Sequence, residues 1–174
     1  NDFDKGRGYA TGGKDLQLAY LKNVVNAAIE NDIYVIIDWH IESATGYTDQ
    51  AAEFFEYAAK TYGKYLNVIF EVWNEPTGGW GDVKNHADRI IPIIRKYSDN
   101  LILIGSTGWS SNPAECAGSF SDKNYACTLH FYAATHSAGG DKSQSAQSAM
   151  SKGVPVFASE WGTVSADGNG GANQ

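Results

Sequence analysis

The sequence predicts an α/β fold: a parallel sheet curved as a (β/α)8 TIM barrel, incomplete in this chain, which carries five of the strands. Five short apolar runs alternate with helical segments, the pattern of parallel strands joined by right-handed crossovers. The runs are near-continuously apolar, as in Ile33 to Trp39 (IYVIIDW), which suits strands covered on both faces. Polar residues follow nearly every run, where a barrel keeps its active face. No phosphate-cradling glycine loop follows the first strand, which weakens the competing open, doubly wound sheet.

The elements follow in order. Residues 1–14 read as a glycine-rich loop. Asp15 to Glu30 is an amphipathic helix, with Leu18, Leu21, Val25 and Ala28 at helical spacing. After the strand at 33–39, Thr48 to Tyr62 is a second helix, with Thr48 as N-cap and Gly63 as its stop. Asn67 to Trp73 is the second strand. Asp82 to Tyr97 is a helix with Val83, Ile90, Ile91 and Ile94 on one stripe, and Pro92 is expected to kink it. Leu101 to Ile104 is the third strand, followed by the loop GSTGWSS. Tyr125 to Phe131 is the fourth. A weaker helix, Lys142 to Lys152, leads to the fifth at Val154 to Ser159, and the tail SADGNGGANQ has loop composition. There is no repeat or internal linker, so residues 1–174 read as a single domain.

Composition sets the boundaries of function. At 43% hydrophobic residues the chain has enough apolar surface for a core. A net charge of -7 argues against nucleic acid, since phosphate binding needs clustered Lys and Arg. No run of 18 apolar residues exists, so no membrane span is expected. The four histidines are scattered without metal-site spacing, so neither a metal nor another cofactor is expected. No Gly-x-Ser-x-Gly elbow supports a serine nucleophile. Cys116 and Cys127 fit either a disulfide, with the oxidising compartment that implies, or two unpaired thiols.

Two glutamates carry the chemistry. Glu75 follows the apolar run in VIFEVWNEP, and Glu160 follows the run in VPVFASEWGT. A pair of carboxyl groups at strand ends is what glycoside hydrolysis requires, one protonating the leaving oxygen and one attacking or stabilising the sugar cation. Strand alternation sets Asp38 with His40, away from Trp39. It sets Glu71 with Trp73 and Glu75, opposite Asn74; Thr128 with His130 and Tyr132; and Val156 with Ala158 and Glu160. Glu71 then points inward at a deeper layer and needs a basic partner, expected on a strand this chain lacks. All five tryptophans, Trp39, Trp73, Trp80, Trp109 and Trp161, fall at strand ends or in the loops after them, as the wall of a sugar-gripping cleft would. For Trp73 alone, core packing is the favoured reading.

The segments VIIDWH (35–40), WNEP (73–76), LHFYAATH (129–136) and FASEWG (157–162) resemble the endoglucanases of glycoside hydrolase family 5, in the right order over nearly the whole chain. The resemblance implies a (β/α)8 barrel, of which strands three to seven are present, and retaining cleavage of internal β-1,4-glucosidic bonds in a secreted, extracellular protein. It implies Glu75 as general acid/base and Glu160 as nucleophile. Asn74 would bond the sugar 2-hydroxyl, His40, His130 and Tyr132 would form a polar frame, and Trp39 and Trp109 would stack on sugar. The expected partner is a β-glucan, with association through open sheet edges as a further expectation. Activity on mannan or xyloglucan, or a carbohydrate-binding remnant without turnover, stays open beside this.

Overall fold

The computed structural model describes residues 6–172. The first five residues of the expected N-terminal loop and the last two of the tail lie outside the described residues. A 3-10 turn, Tyr9–Thr11, precedes α1, Lys14–Glu30. The alternation then runs β1 (Val35–Asp38), α2 (Thr48–Tyr62), β2 (Val68–Glu71), α3 (Trp80–Arg95), β3 (Ile102–Ile104), α4 (Thr107–Ser110), a second 3-10 turn (Pro113–Cys116), β4 (Tyr125–Tyr132), α5 (Asp141–Ser151) and β5 (Val156–Gly162). The five strands pair in sequence order and every pair is parallel. They form a curled arc matching part of a (β/α)8 barrel, with β1 and β5 at its two edges.

Strand alternation separates two apolar layers. On the inner face Ile69, Leu103 and Ala126 are buried together, with Ile36, Leu101 and Phe157 against them. On the helix side Ile37, Phe70, Ile102, Ile104 and Cys127 meet Phe55 and Ala58 of α2 and Ala87, Ile90 and Ile94 of α3. Burying one such large aliphatic or aromatic side chain stabilises by roughly 1.5–3 kcal/mol, so the helix layer supplies most of the cohesion.

Several expectations shift. Thr48 is the first residue of α2 and not its cap; its hydroxyl reaches the Ala44 carbonyl and His86 Nδ1 instead. Gly63 does end α2, for a packing reason: a Cβ there would lie 2.4 Å from the Ala59 carbonyl oxygen and 2.6 Å from Ser98 Cβ. Pro92 lies inside α3, which runs unbroken to Arg95. β2 ends at Glu71, two residues short of the expectation, and β5 extends to Gly162, three residues beyond it. Of the two readings for the cysteines, the structure shows the bridge, Cys116–Cys127, tying the turn after α4 to the middle of β4. Among the described residues no helix is long and apolar enough to cross a membrane.

Candidate active site

Each strand of the arc delivers polar side chains to its carboxyl end. At the end of β1, alternation carries on past Asp38, sending Asp38 and His40 inward, joined by a 2.8 Å bond between His40 Nδ1 and Asp38 Oδ2, and Trp39 outward. Burial pushes the Asp38 carboxyl up to about 6, while the bond to Asp38 raises the pKa of the exposed His40. Trp39 is only 6% exposed and packs between Tyr9 and Phe54 on the helix side. Its expected sugar-stacking role is therefore corrected: the strand period that pairs Asp38 with His40 turns the indole into the core.

Beyond Glu71 the backbone leaves regular strand geometry, and the expected grouping of Glu71, Trp73 and Glu75 breaks. Trp73 is buried against the His86 ring, 5.2 Å between centroids, which bears out its core reading. His86 itself is buried on α3; desolvation pushes it down to about 4, and it bonds the Val72 carbonyl at 3.0 Å. Glu75 turns to the cleft. Asn74 is 5% exposed, its carbonyl accepting from Ser110 Oγ at 2.6 Å, and it is not among the residues lining that cleft.

His130 is the hub. It is 1% exposed, with Nδ1 3.0 Å from Glu75 Oε1 and 3.9 Å from Glu160 Oε2, and Nε2 3.0 Å from Ser159 Oγ. Burial alone would lower its pKa; the Glu71 carboxylate 3.9 Å away, the bond to Glu75 and the negative charges around it outweigh that and push it up to about 9. The Tyr132 hydroxyl donates to Glu160 Oε1, and that bond, with burial, pushes the phenol up to about 12. One donor atom each from Glu75, His130 and Glu160 falls within a mutual 4.8 Å. This trio is the one group among the described residues whose spacing could hold a cation. When protonated, the His130 ring would offset one of the two carboxylate charges there without an ion.

Glu71 does not wait for a partner on an absent strand. Its Oε1 accepts from Thr128 Oγ1 at 2.9 Å and Ser159 Oγ at 2.7 Å, and His130 Nε2 stands 3.9 Å away. Two hydroxyl donors and a histidine on strands present in the chain stand where a basic partner on an absent strand was expected. Ser159 was missed because alternation along β5 assigned it the face opposite Glu160. Lys142 was missed too: α5 aims its ammonium at the His130 carbonyl, 2.8 Å off, and no spacing in the sequence announces that.

Glu75, His130 and Tyr132 open onto a cleft of about 930 Å³, with Trp109 and Lys142 in its walls. Trp109 is 54% exposed. It and Ser110 hold left-handed backbone at φ 59° and 55°, a conformation costing roughly 1–3 kcal/mol per non-glycine residue. Bonds from the Trp109 amide to the Pro76 carbonyl and from Ser110 to Asn74 keep it there. The expected aromatic wall is thus smaller than the sequence suggests. Trp39 and Trp73 are core, Trp80 packs edge-on against Phe120, and Trp161, also exposed, stacks on Phe131.

Against known proteins, a family model described as Cellulase (glycosyl hydrolase family 5) matches residues 6–174. Endoglucanase Z of Dickeya dadantii is 45% identical over 160 residues, covering 90% of this chain and 37% of that protein. An endoglucanase of Clostridium saccharobutylicum is 45% identical over 162 residues, 87% of this chain and 35% of that protein. Among solved structures, the catalytic domain of Thermobifida fusca endoglucanase Cel5A superposes with a TM-score of 0.86 at 32% identity, over 95% of this chain and 57% of that one. The same catalytic domain has been solved as a variant in complex with cellotetraose. The chain spans somewhat over a third of these curated relatives and a little over half of the solved catalytic domain.

Proposed function

The chain belongs to glycosyl hydrolase family 5, and from that premise we propose that it carries the catalytic centre of a secreted, retaining endo-β-1,4-glucanase acting on cellulose or a related β-glucan. The observation that carries this reading is the approach of Glu75 and Glu160 to within 4.8 Å about His130. An inverting pair stands about 6.5–9.5 Å apart to admit a water, whereas a retaining pair at about 5–5.5 Å lets one carboxylate reach the anomeric carbon directly. The short separation supports the retaining route.

Glu160 attacks the anomeric carbon while Glu75 protonates the departing glycosidic oxygen. A glycosyl ester on Glu160 results. Water, giving its proton to Glu75, then releases the sugar with its configuration kept. The Tyr132 hydroxyl holds Glu160 Oε1, leaving Oε2 for the attack. Trp109, exposed in the cleft wall, offers a flat face to a glucosyl ring. Asn74 and His40 keep the roles the family resemblance gives them, hydroxyl donor and polar frame, although Asn74 reaches the cleft only if substrate draws its amide forward. The disulfide fits an oxidising, extracellular setting.

The purified 174-residue chain should release reducing ends from carboxymethylcellulose, with the β-anomer formed first by NMR. Binding of cello-oligosaccharide without any release would favour a carbohydrate-binding remnant. An α-anomer as first product would overturn the retaining assignment.

A further inference from the structure

Glu71 is a carboxyl group that the proposed chemistry does not use. It is 3% exposed, one layer beneath Glu75 and Glu160, and faces Asp38 across the β1–β2 pairing. Among the described residues its ion-pair partner is His130, at 3.9 Å.

Counting protons along the bonds shows what it does. The Ser159 hydroxyl has one hydrogen to give, and its oxygen stands between Glu71 Oε1 at 2.7 Å and His130 Nε2 at 3.0 Å. A carboxylate only accepts, so the Ser159 hydrogen goes to Glu71. Thr128 donates to the same oxygen at 2.9 Å. Ser159 Oγ must then accept from His130, and Nε2 must carry hydrogen. That leaves Nδ1, 3.0 Å from Glu75 Oε1, as the ring nitrogen whose proton comes and goes. A ring of the opposite tautomer, with hydrogen on Nδ1 alone, could only donate to Glu75 and could not receive its proton.

We propose that Glu71 is a positioning residue that acts through Ser159 to lock the neutral His130 ring in its Nε2–H form, so that His130 and Glu75 share one proton along the Nδ1–Oε1 bond. This rests on Glu75 being the acid/base. The proton balance is simple. With the ring neutral, Glu75 keeps its proton and donates it toward Nδ1; with the proton moved to Nδ1, the imidazolium donates back to the Glu75 carboxylate. Glu75 gives that proton to the leaving oxygen in the first step and regains one from water in the second. The charged groups around the ring come from every packed element: Asp38 on β1, Glu71 on β2, Glu75 in the following loop, Glu160 on β5, and Lys142 of α5 on the ring's own carbonyl.

Ring nitrogen-15 NMR on the histidine-labelled 174-residue chain tests this without requiring turnover. A chain that cleaves no glucan would refute the hydrolase reading and leave this measurement intact. His130 should be doubly protonated near neutrality and, above its midpoint, carry hydrogen on Nε2. Glu71→Gln, which keeps shape and removes charge, should lower the midpoint by about one pH unit or more. Ser159→Ala should release the tautomer toward Nδ1–H, and Ser159→Thr, which restores a hydroxyl, should restore Nε2–H. A wild-type ring that is Nδ1–H when neutral overturns the proposal. So does a His130 midpoint and tautomer unmoved in both Glu71→Gln and Ser159→Ala; should the former not fold, the serine pair decides alone.

Discussion

Replacing the two glutamates one at a time by glutamine separates their roles, and the size of each loss follows from what the side chain touches. Glu75→Gln keeps the volume and can keep a bond to His130, whose Nδ1 stands 3.0 Å from Glu75 Oε1. It has no proton to give. General acid assistance is worth roughly 10²–10⁴-fold, or about 3–5 kcal/mol of barrier, and that factor should be lost on cellulose, whose leaving group is a poorly acidic alcohol. A dinitrophenyl β-cellobioside departs as a stable phenolate, so its first step should fall less than about tenfold. Its second step still needs Glu75 to deprotonate water, and added azide, which needs no base, should relieve that step and yield a glycosyl azide. Glu160→Gln removes the attacking carboxylate and leaves Tyr132 without its acceptor. Both substrates should then fall to the blank. The assays are reducing-end release from carboxymethylcellulose and phenolate absorbance from the aryl glycoside. Equal losses on both substrates in Glu75→Gln, or appreciable aryl hydrolysis by Glu160→Gln, would refute the assignment.

Three further outcomes are expected. The folded His130 pKa of about 9 lies above the ordinary 6.5, so its charged form stabilises the fold fully below pH 6.5 and that stabilisation is lost as pH rises through 9. Urea unfolding should show stability falling by on the order of 3 kcal/mol across that window, and a flatter profile in His130→Gln; a profile unchanged by that substitution counts against the buried charge. Reducing Cys116–Cys127, which closes a short loop, should cost about 3 kcal/mol and lower Tm by about 6–12 °C, and no shift would mean the bridge constrains nothing. Finally, among the described residues β1 and β5 leave unpaired strand edges, and near β1 Tyr9 OH, Trp39 Nε1 and Asp38 Oδ1 are buried with no hydrogen-bond partner among those residues. The 174-residue chain should self-associate in sedimentation runs, and a stable monomer at high concentration would speak against sticky edges.

Much of the fold was legible because apolar runs such as VIID and VIFE have few other places to go than a parallel strand between layers. The inward pairing of Asp38 with His40 was legible for the same reason: the Trp39 amide still bonds the Glu71 carbonyl just past β1, so the period of two carries on there. It failed where regularity stops. After Glu71 the chain leaves the ladder, Trp73 drops into the core beside His86, and parity says nothing further about Asn74 or Glu75. Trp39 shows a different limit. Its face was read correctly, yet its position at a strand end suggested a sugar platform, when an indole turned away from Asp38 and His40 could only meet Tyr9 and Phe54. Lys142 was invisible because only the placement of α5 against β4 brings it to the His130 carbonyl.

The most consequential departure lies on β5. Thr128 pairs with Phe157, but His130 pairs with Glu160, so two steps on β4 are matched by three on β5. A bulge of one residue accounts for it. In regular alternation Phe157 and Ser159 would face inward and Glu160 outward, which would take the carboxylate away from Tyr132 and His130. The extra residue cancels that choice. Ser159 still reaches Glu71 and His130, and the next residue, Glu160, also reaches Tyr132 and stands 3.9 Å from His130 Nδ1. Consecutive side chains thus serve one site from one strand, a serine gripping the histidine from below and a glutamate poised above. No hydrophobic pattern could have announced this, since the cost of one unpaired residue in the ladder is repaid in the polar network and not in the core. The position where strand period fails is also the position where the site is assembled, as expected where function sets the local backbone.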